Sequence, residues 1–401
     1  MNRLHSLLVL LTFFLLLFVP VFVQVTASLF VAPRVLVSIP LVLLVLVICL
    51  DFGKYNYDNL DVMLFFLLIF IFLFGFYYGI KRSDTNLIGV LAYARSYWIF
   101  ILFFFLGYTS TRLGIFKTIK YIYFYYVMFT LLFLFFEVFG GADAALLLGY
   151  NKFNAITPEV WIDSHTKSFF NLKSLSSYQV YRPEGPTGST ISYAYSLLAF
   201  PLLFKPYTKK FYLSLFLLFC VSVFLGSKGA FILICSTLLI AVFVRLKNDI
   251  NLMFVFLVIL SFTISYIQVV TNDNHGLGFL GGLNNLLSFP FGQGLGVGGN
   301  LAGPAFNSED GQRSFIYGSE SIYGVFFTQI GFLFFILLFF LFRMIRRNIG
   351  SLKASIVSGL CFLILLFGMS QEEAWSTMAA IPFLFIGHMA FIKKKEQSNL
   401  N

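Results

Sequence analysis

The chain has 401 residues, of which 59% are hydrophobic and only 11% are charged, whereas about a quarter of the residues in a soluble domain are charged. This composition predicts an all-α, polytopic membrane protein and excludes most cytosolic enzyme classes. The net charge of +10 comes from 27 Lys and Arg against 17 Asp and Glu, and in a membrane protein it indicates an uneven distribution of loop charge rather than nucleic-acid binding.

Apolar runs separated by polar breaks predict about twelve membrane-spanning helices in a single integral membrane domain over residues 1–401. The first run resembles a signal peptide, but its length favours an uncleaved helix. In chain order, the predicted helices are 5–24, 30–50, 62–80, 87–108, 118–139, 191–205, 211–225, 230–245, 251–270, 321–342, 354–370 and 375–392.

The distribution of lysine and arginine predicts the orientation of these helices. With the N-terminus inside, 17 of the 27 basic residues fall in cytoplasmic segments, so both termini are expected in the cytoplasm. This orientation places two long loops, 140–190 and 271–320, on the same outer face. Structureless segments of that length are usually functional, and 12 of the 31 glycines lie in the second loop.

Two cationic motifs lie next to predicted helices on the outer side. Arg182 precedes a Pro- and Gly-rich turn, and its planar fork suits phosphate or carboxylate. Ser189 and Thr190 then begin a helix, whose N-terminus is itself an anion site, although a solvated turn explains this motif equally well. Lys228 lies in a short Gly-Ser-Lys-Gly connection, where it either snorkels to the membrane surface or pairs with an anion.

Arg95 is expected inside the fourth predicted span, roughly 12 Å from its outer end. An arginine at that depth is costly and indicates a function. The structural alternative is that the helix begins later, near Ser96. Glu137 ends the fifth span on the outer side, where it either pairs with one of these cations or is simply a solvated helix end.

The second loop contains Gly294, Gly296 and Gly299 in a G-x-G-x-x-G arrangement. No βαβ unit surrounds it, so a dinucleotide site is excluded, and either a turn or a close backbone approach to a lipid-linked phosphate or sugar explains the glycines. Arg313 and Glu320 follow. A carboxylate at the start of the next helix acts as a general base or caps the helix. No acidic pair or histidine cluster stands out, so metal-independent chemistry without a cofactor is predicted.

In layout, the chain resembles the O-antigen ligase and polymerase superfamily, in particular its Wzy-type polymerases. The local similarities, in order, are Arg182 to Gly188 before a helix, Ser227-Lys228-Gly229, Pro290 to Gly296, and Glu320-Ser321 leading through Gly324 to Gly331. The resemblance implies a GT-C-like membrane fold in the bacterial inner membrane. It also implies an inverting glycosyl transfer at the periplasmic face, with undecaprenyl pyrophosphate as the leaving group.

The resemblance also implies roles for individual residues. Arg182 and Lys228 are expected to neutralise charge on the departing pyrophosphate, and Glu320 is expected to be the base. The further substrate-binding candidates are Arg95, Arg313, Glu184, Gly294 and Gly296. The implied partners are an undecaprenyl-pyrophosphate-linked glycan, membrane lipid and a regulator of polysaccharide chain length.

Two departures from the family pattern bear on the choice of activity. Ligases typically carry a His-Asn pair at the end of the second loop, where this chain has Ser319-Glu320-Ser321, and this difference favours a polymerase. Lys228 stands where the family often has arginine, so the charge remains but the bidentate fork is lost. A lipid-linked oligosaccharide flippase or other transporter is the alternative from another class, although its outer loops are usually short. A scaffold protein without catalytic activity is a further alternative, but it does not explain why Arg95 lies in a predicted span or why Lys228 lies at the membrane boundary.

Overall fold

The structure is a computed structural model that describes residues 2–25, 40, 43–45, 47, 59–81, 87–147, 166–168, 179–181, 183, 189–246, 249–299, 315–316, 318–349 and 351–398. It consists largely of apolar helices, which satisfy their own backbone hydrogen bonds as a bilayer requires. In chain order these are α1 (Asn2–Val25), α2 (Asn59–Lys81), α3 (Leu87–Arg112), α4 (Phe116–Leu147), α5 (Thr190–Leu197), α6 (Lys209–Leu225), α7 (Lys228–Arg245), α8 (Ile250–Val270), α9 (Asn274–Ser288), α10 (Ile322–Ile330), α11 (Phe334–Arg346), α12 (Leu352–Phe367) and α13 (Ile381–Ser398).

Several short elements connect these helices. Single 3-10 turns cover Phe200–Leu203, Gly331–Leu333 and Glu372–Trp375. In the first long loop, β1 (Thr166–Ser168) pairs antiparallel with β2 (Gln179–Tyr181). Apart from this pair, the described elements are helical, as the all-α prediction expected.

Within the described residues, seven helical segments are long and apolar enough to cross a membrane. They are Arg3–Val23, Leu60–Lys81, Gly89–Arg112, Phe116–Ala144, Lys228–Arg245, Ile250–Val270 and Ile322–Arg346. Two shorter apolar helices cover Thr190–Leu203 and Leu352–Phe367, and the predicted helix 30–50 lies mostly outside the described residues. The chain is therefore a polytopic membrane protein, and lipid is the natural contact for exposed side chains such as Phe66 and Phe70 on α2.

The chain divides into two compact units, of which the first contains Met1–Phe52, Leu102–Arg245 and Ile381–Asn401. Buried tyrosines join α4 to α5 in this unit. The hydroxyl of Tyr193 donates to the carbonyl of Thr130 at 2.9 Å, and that of Tyr123 donates to the carbonyl of Ser196 at 2.6 Å. These bonds fix α5 against α4 and satisfy hydroxyl groups that would be costly to bury alone.

The second unit contains Gly53–Ile101 and Leu246–Ala380. A glycine-rich segment, 292–299, lies against its helices. The amide of Leu295 donates to the carbonyl of Gly75 on α2 at 2.8 Å, and the amide of Gly294 donates to the carbonyl of Gln329 on α10 at 2.9 Å. This segment is therefore held by backbone hydrogen bonds on two sides.

A second tie in this unit joins α2 to α11. Asp61 has a relative exposure of 8%, and its carboxylate accepts a hydrogen bond of 3.0 Å from Nε of Arg343 and another from Nη1 of Arg347. Two arginines on one carboxylate satisfy a group that would be costly to bury unpaired.

The structure corrects two predictions about the second half of the chain. The loop 271–320 was expected to lack regular structure, but α9 occupies Asn274–Ser288. The predicted helix 321–342 is broken at Gly331, where φ is 59° and a β-carbon would lie 2.0 Å from the carbonyl oxygen of Pro290. The helix breaks there because the glycine-rich segment packs directly against its backbone.

Candidate functional site

The start of α10 is fixed by the side chain of Ser321, which is fully buried. Its oxygen accepts a hydrogen bond from the amide of Gly324 at 3.2 Å, so Ser321 is the N-cap of this helix. The same hydroxyl lies 2.8 Å from the carbonyl of Met369, to which it donates. The backbone immediately before α10 is therefore held in one position.

Glu320 comes directly before this cap and has a left-handed backbone conformation, with φ at 66°. Such a conformation is uncommon for a residue with a side chain and persists where the surroundings impose it. Here the amide of Glu320 donates to Oε2 of Glu372 at 3.2 Å, and its carbonyl oxygen lies 2.9 Å from Nδ1 of His275. Both backbone groups of Glu320 are thus bonded to ionisable side chains.

His275 is the second residue of α9 and faces the same junction. A carbonyl oxygen only accepts hydrogen bonds, so Nδ1 of His275 carries the proton in its contact with Glu320. In the neutral imidazole, the lone pair is then on Nε2, which becomes the ring's proton acceptor. The carboxylate Oε2 of Glu320 is 3.8 Å from Nδ1, and the His275 side chain is 28% exposed. The ring is therefore held in one orientation and remains partly exposed.

Glu372 bridges this junction to α3. Its Oε1 accepts a hydrogen bond of 2.5 Å from the hydroxyl of Tyr93, while its Oε2 accepts the amide of Glu320. Tyr93 is 2% exposed. We call His275, Glu320, Glu372 and Tyr93 the acid–base cluster. It joins two carboxylates, an imidazole and a phenol, and side chains of these types transfer protons in general acid–base catalysis.

Glycines on α9 allow this cluster to assemble. A β-carbon at Gly278 would lie 1.8 Å from the carbonyl oxygen of Ser319, and one at Gly282 would lie 2.2 Å from Cα of Gly324. Helix α9 therefore packs backbone to backbone on the segment that carries Glu320. This close approach brings His275 to a residue 45 positions later in the chain.

Gly294 and Gly296, predicted to bind substrate, are buried in the segment packed on α2 and α3. Both have positive φ, at 106° and 85°. A β-carbon at either would lie 2.5 Å from a neighbouring atom, the amide nitrogen of Gly79 or Cγ2 of Val90. Packing alone thus requires glycine at these positions. Gly299 is the last residue of the segment, and a β-carbon at Gly299 would lie 1.9 Å from the hydroxyl oxygen of Tyr93.

Arg95 lies on α3, which is helical from Leu87 to Arg112. The alternative in which the helix begins near Ser96 is therefore wrong, and Arg95 lies within the segment Gly89–Arg112 that is apolar enough to span. Its Nε is buried and has no hydrogen-bond partner among the residues that the structure describes. A guanidinium in this position is the kind of group that defaults to a functional explanation in a membrane protein.

Lys228 is in the first unit and is the first residue of α7, directly after the connection Gly226-Ser227. Gly226 has a left-handed φ of 58° and ends α6, so the short turn predicted here is confirmed. The Lys228 side chain is exposed and, in the described part of the chain, has no hydrogen bond or ion pair.

Glu137 lies on α4 and is fully buried. The alternative in which Glu137 is a solvated helix end is therefore wrong.

Three predicted site residues, Arg182, Glu184 and Arg313, lie outside the described residues. The helix that follows the first of these motifs is present. Ser189 is its N-cap and accepts from the amide of Ser192 at 3.4 Å, as predicted. Thr190 donates from its hydroxyl to the carbonyl of Pro183 at 2.9 Å, which ties the preceding turn to α5.

Three members of the acid–base cluster were not predicted as site residues. No sequence motif singled out His275, Glu372 or Tyr93, and no cluster of histidines or acidic pair stood out. One signal could have indicated the contact. Asp273 caps α9 by accepting the amide of His275 at 3.0 Å, and a capping residue followed by closely spaced glycines is typical of a helix that packs tightly. Among the described residues, no group of three or more His, Cys, Asp or Glu is arranged to hold a metal ion.

Comparisons of the chain with protein-family models, with curated proteins and with solved structures found no match.

Proposed function

We propose that this protein is a Wzy-type O-antigen polymerase, a metal-independent inverting glycosyltransferase of the bacterial inner membrane. The growing glycan on undecaprenyl pyrophosphate is the donor, and its reducing-end sugar passes to a hydroxyl of the next lipid-linked repeat unit. The observation that carries this proposal is the contact between His275 and Glu320 at 2.9 Å. It provides an oriented base beside Glu320, the residue that the family resemblance implies as the base. The choice of a polymerase over a ligase rests on Ser319-Glu320-Ser321, which stands where ligases typically carry a His-Asn pair.

The proposed step conserves atoms and charge. The bond between C1 of the reducing-end sugar and the pyrophosphate oxygen breaks, and its electron pair leaves with the pyrophosphate. The acceptor oxygen bonds to C1 from the opposite face and gives its proton to Nε2 of His275. The Glu320 carboxylate, 3.8 Å from the imidazole, then stabilises the imidazolium. In this proposal Glu320 supports the base instead of serving as the base.

Negative charge on the departing pyrophosphate calls for cations at the membrane surface. Arg182 and Lys228 are the proposed leaving-group residues, with Arg95 and Arg313 as additional phosphate ligands. The exposed position of Lys228 at the first turn of α7 supports its assignment, because helix N-termini favour anions. The Nε of Arg95, which is buried and has no hydrogen-bond partner in the described part of the chain, supports a role in binding an anion as well.

The remaining parts of the proposal concern topology and partners. About twelve spans in a GT-C-like arrangement, with both termini in the cytoplasm, would place the two long loops in the periplasm. This orientation is supported by the positive-inside rule. Gly294, Gly296 and Glu184 would then lie near the lipid-linked glycan. A regulator of chain length is the proposed protein partner.

An O-antigen ligase is the second candidate, and one observation favours it. The chain lacks a histidine at the end of its second loop, which was the argument against a ligase, but His275 lies 2.9 Å from Glu320 at that point. Both enzymes transfer a glycan from undecaprenyl pyrophosphate. They differ in the acceptor, which is a repeat unit for a polymerase and the lipid A–core for a ligase.

The lipopolysaccharide banding pattern of a deletion strain tests the proposal. A polymerase predicts core bearing a single repeat unit and no ladder, with the ladder restored by the wild-type gene and not by an Arg182→Ala copy. Complete loss of O antigen would instead indicate a ligase or a flippase. An unchanged ladder would exclude a role for this protein in O-antigen synthesis.

A matched carboxylate control belongs in the same experiment. Asp143 is an exposed residue on α4 in the predicted outer loop, and an Asp143→Asn copy is expected to restore the full ladder. A Glu320→Gln copy is expected to leave the ladder absent, because it removes the carboxylate 3.8 Å from the His275 ring. If Asp143→Asn failed as well, the loss would reflect outer-loop charge in general and would not support the acid–base cluster.

A further inference from the structure

An apolar groove of about 310 Å³ lies between α6 and α7 in the first unit. Its walls are formed by Leu215, Phe216 and Phe219 of α6 and by Leu238 and Val242 of α7. The two helices run antiparallel, since they are joined only by Gly226 and Ser227. We call this feature the α6–α7 groove. Its volume is at the lower end of the range for small-molecule sites.

One end of the α6–α7 groove holds a positioned cation. The Nη1 atom of Arg245 donates a hydrogen bond of 2.7 Å to the hydroxyl of Tyr212. The guanidinium carbon lies 5.7 Å from the ring centroid of Tyr212 and 6.0 Å from that of Tyr207, within the range of cation–π attraction. Arg245 is the last residue of α7, a helix long and apolar enough to span, so its charge lies at the level of the lipid head groups.

Tyr207 has an unusual backbone conformation, and its side chain is held by a hydrogen bond. Its φ is 62°, an uncommon value for a bulky residue. Its hydroxyl donates to the carbonyl of Ala241 at 3.2 Å, and burial raises the pKa of this phenol. The aromatic support for Arg245 is thus built into the fold.

The hairpin that forms the groove carries charge of one sign. From Lys205 to Arg245 the sequence contains five basic residues and no acidic ones. Lys209 and Lys210 begin α6 and are exposed, and the antiparallel arrangement puts them at the same end of the hairpin as Arg245. None of the ion pairs in the described part of the chain involves Arg245. This end of the groove therefore places three basic side chains, Lys209, Lys210 and Arg245, beside apolar walls.

We propose that the α6–α7 groove binds an anionic phospholipid. The phosphate accepts hydrogen bonds from the free nitrogens of Arg245, whose fork matches phosphate geometry, and Lys209 and Lys210 add charge. One acyl chain lies along the apolar walls toward Phe216 and Phe219. A free phosphate would leave these walls uncovered, and a zwitterionic lipid would bring a second positive charge to a basic site. This inference does not depend on the proposed enzymatic activity.

Lipid binding to the full-length protein in detergent, counted by native mass spectrometry, tests the proposal. Dioleoyl phosphatidylglycerol and dioleoyl phosphatidylcholine share their acyl chains and differ in net charge. Wild-type protein is expected to bind phosphatidylglycerol about tenfold more tightly, and Arg245→Gln is expected to remove that preference. Val242→Trp, at an exposed wall position, should weaken phosphatidylglycerol binding while leaving the charge intact.

Lys117→Gln is the matched control. Lys117 is an exposed cation in the first turn of α4, 5.9 Å from the ring centroid of Tyr121, and it does not line the α6–α7 groove. Its loss should leave the lipid preference unchanged. The proposal is overturned if both charge variants lower binding equally, if Val242→Trp has no effect, or if inorganic phosphate at equal concentration displaces the lipid. Thermal unfolding of each variant identifies any that fail to fold. For these, the combined Lys209→Gln and Lys210→Gln change replaces Arg245→Gln and is expected to lower the preference for phosphatidylglycerol, and Val242→Phe replaces Val242→Trp.

Discussion

Nδ1 of His275 donates a hydrogen bond of 2.9 Å to the backbone carbonyl of Glu320, a residue 45 positions later in the chain. This contact joins the first turn of α9 to the residue before the cap of α10. Because the carbonyl can only accept, the contact selects the tautomer with its lone pair on Nε2. An imidazole of defined orientation therefore arises from two segments that the sequence keeps far apart.

Replacing His275 by asparagine separates the two functions of the ring. An asparagine amide can donate where Nδ1 does but has no counterpart to Nε2. We expect His275→Asn to keep the thermal stability of the wild-type protein and to lose chain growth in a complementation assay. His275→Ala should lose both, because the carbonyl of Glu320 is then left without its donor. An Asn variant that restores a full ladder would exclude His275 as the base.

The hydrogen bond between Tyr93 and Glu372 should contribute measurably to stability. Tyr93→Phe removes a 2.5 Å bond to a carboxylate, and bonds to charged groups are worth about 1.5–3 kcal/mol. We expect the free energy of unfolding, measured by reversible unfolding in detergent, to fall by that amount. Tyr121→Phe, at an exposed site on α4, should change stability by less than about 0.5 kcal/mol. Equal effects of the two substitutions would contradict this reading of the cluster.

Two glycines one turn apart on α2 provide a matched pair. A β-carbon at Gly79 would lie 2.0 Å from the backbone oxygen of Leu295, whereas one at Gly75 would meet only side-chain atoms, at 3.1 Å and beyond. Side chains can shift and backbone cannot, so Gly79→Ala should destabilise the protein by about 1–3 kcal/mol or more. Gly75→Ala should cost clearly less. The reverse order would mean that segment 292–299 does not pack on α2 as described.

The orientation of the α6–α7 hairpin is testable with single cysteines. Lys228 and Lys210 are exposed at opposite ends of it. In a chain whose four native cysteines are replaced, Lys228→Cys should react with an impermeant maleimide on spheroplasts with an intact inner membrane. Lys210→Cys should react only after permeabilisation. The opposite pattern would contradict the positive-inside assignment and move the proposed site to the cytoplasmic face.

Much of the helical architecture could be predicted from the sequence because long apolar runs leave few other structures in a bilayer. The short connection at Gly226 and the cap at Ser189 were also predictable, since each depends on adjacent residues. Helix α9 was not predicted, because glycine has a low helix propensity and its closely spaced glycines are more typical of a loop. They are compatible with a helix here because the close packing of Gly278 on Ser319 offsets their low helix propensity.

The candidate site was only partly predictable, because its residues come together through tertiary packing that local sequence does not indicate. Glu320 stood out because it precedes a helix, which is a local feature. Its partners His275 and Glu372 are 45 and 52 residues away, and no periodicity or spacing links them. The glycines at 294 and 296 were noticed as a motif, but their positive φ values and their contacts with α2 and α3 are tertiary properties.

Chain growth by the purified protein is the most direct test of the central claim. The substrate is the undecaprenyl-pyrophosphate-linked repeat unit extracted from the deletion strain, supplied to wild-type protein and to His275→Asn in nanodiscs. We predict that the wild-type protein forms glycans of two or more repeats and releases one undecaprenyl pyrophosphate per linkage, while the variant forms none. A wild-type protein that binds this lipid yet forms no longer glycan would contradict the assignment as a polymerase.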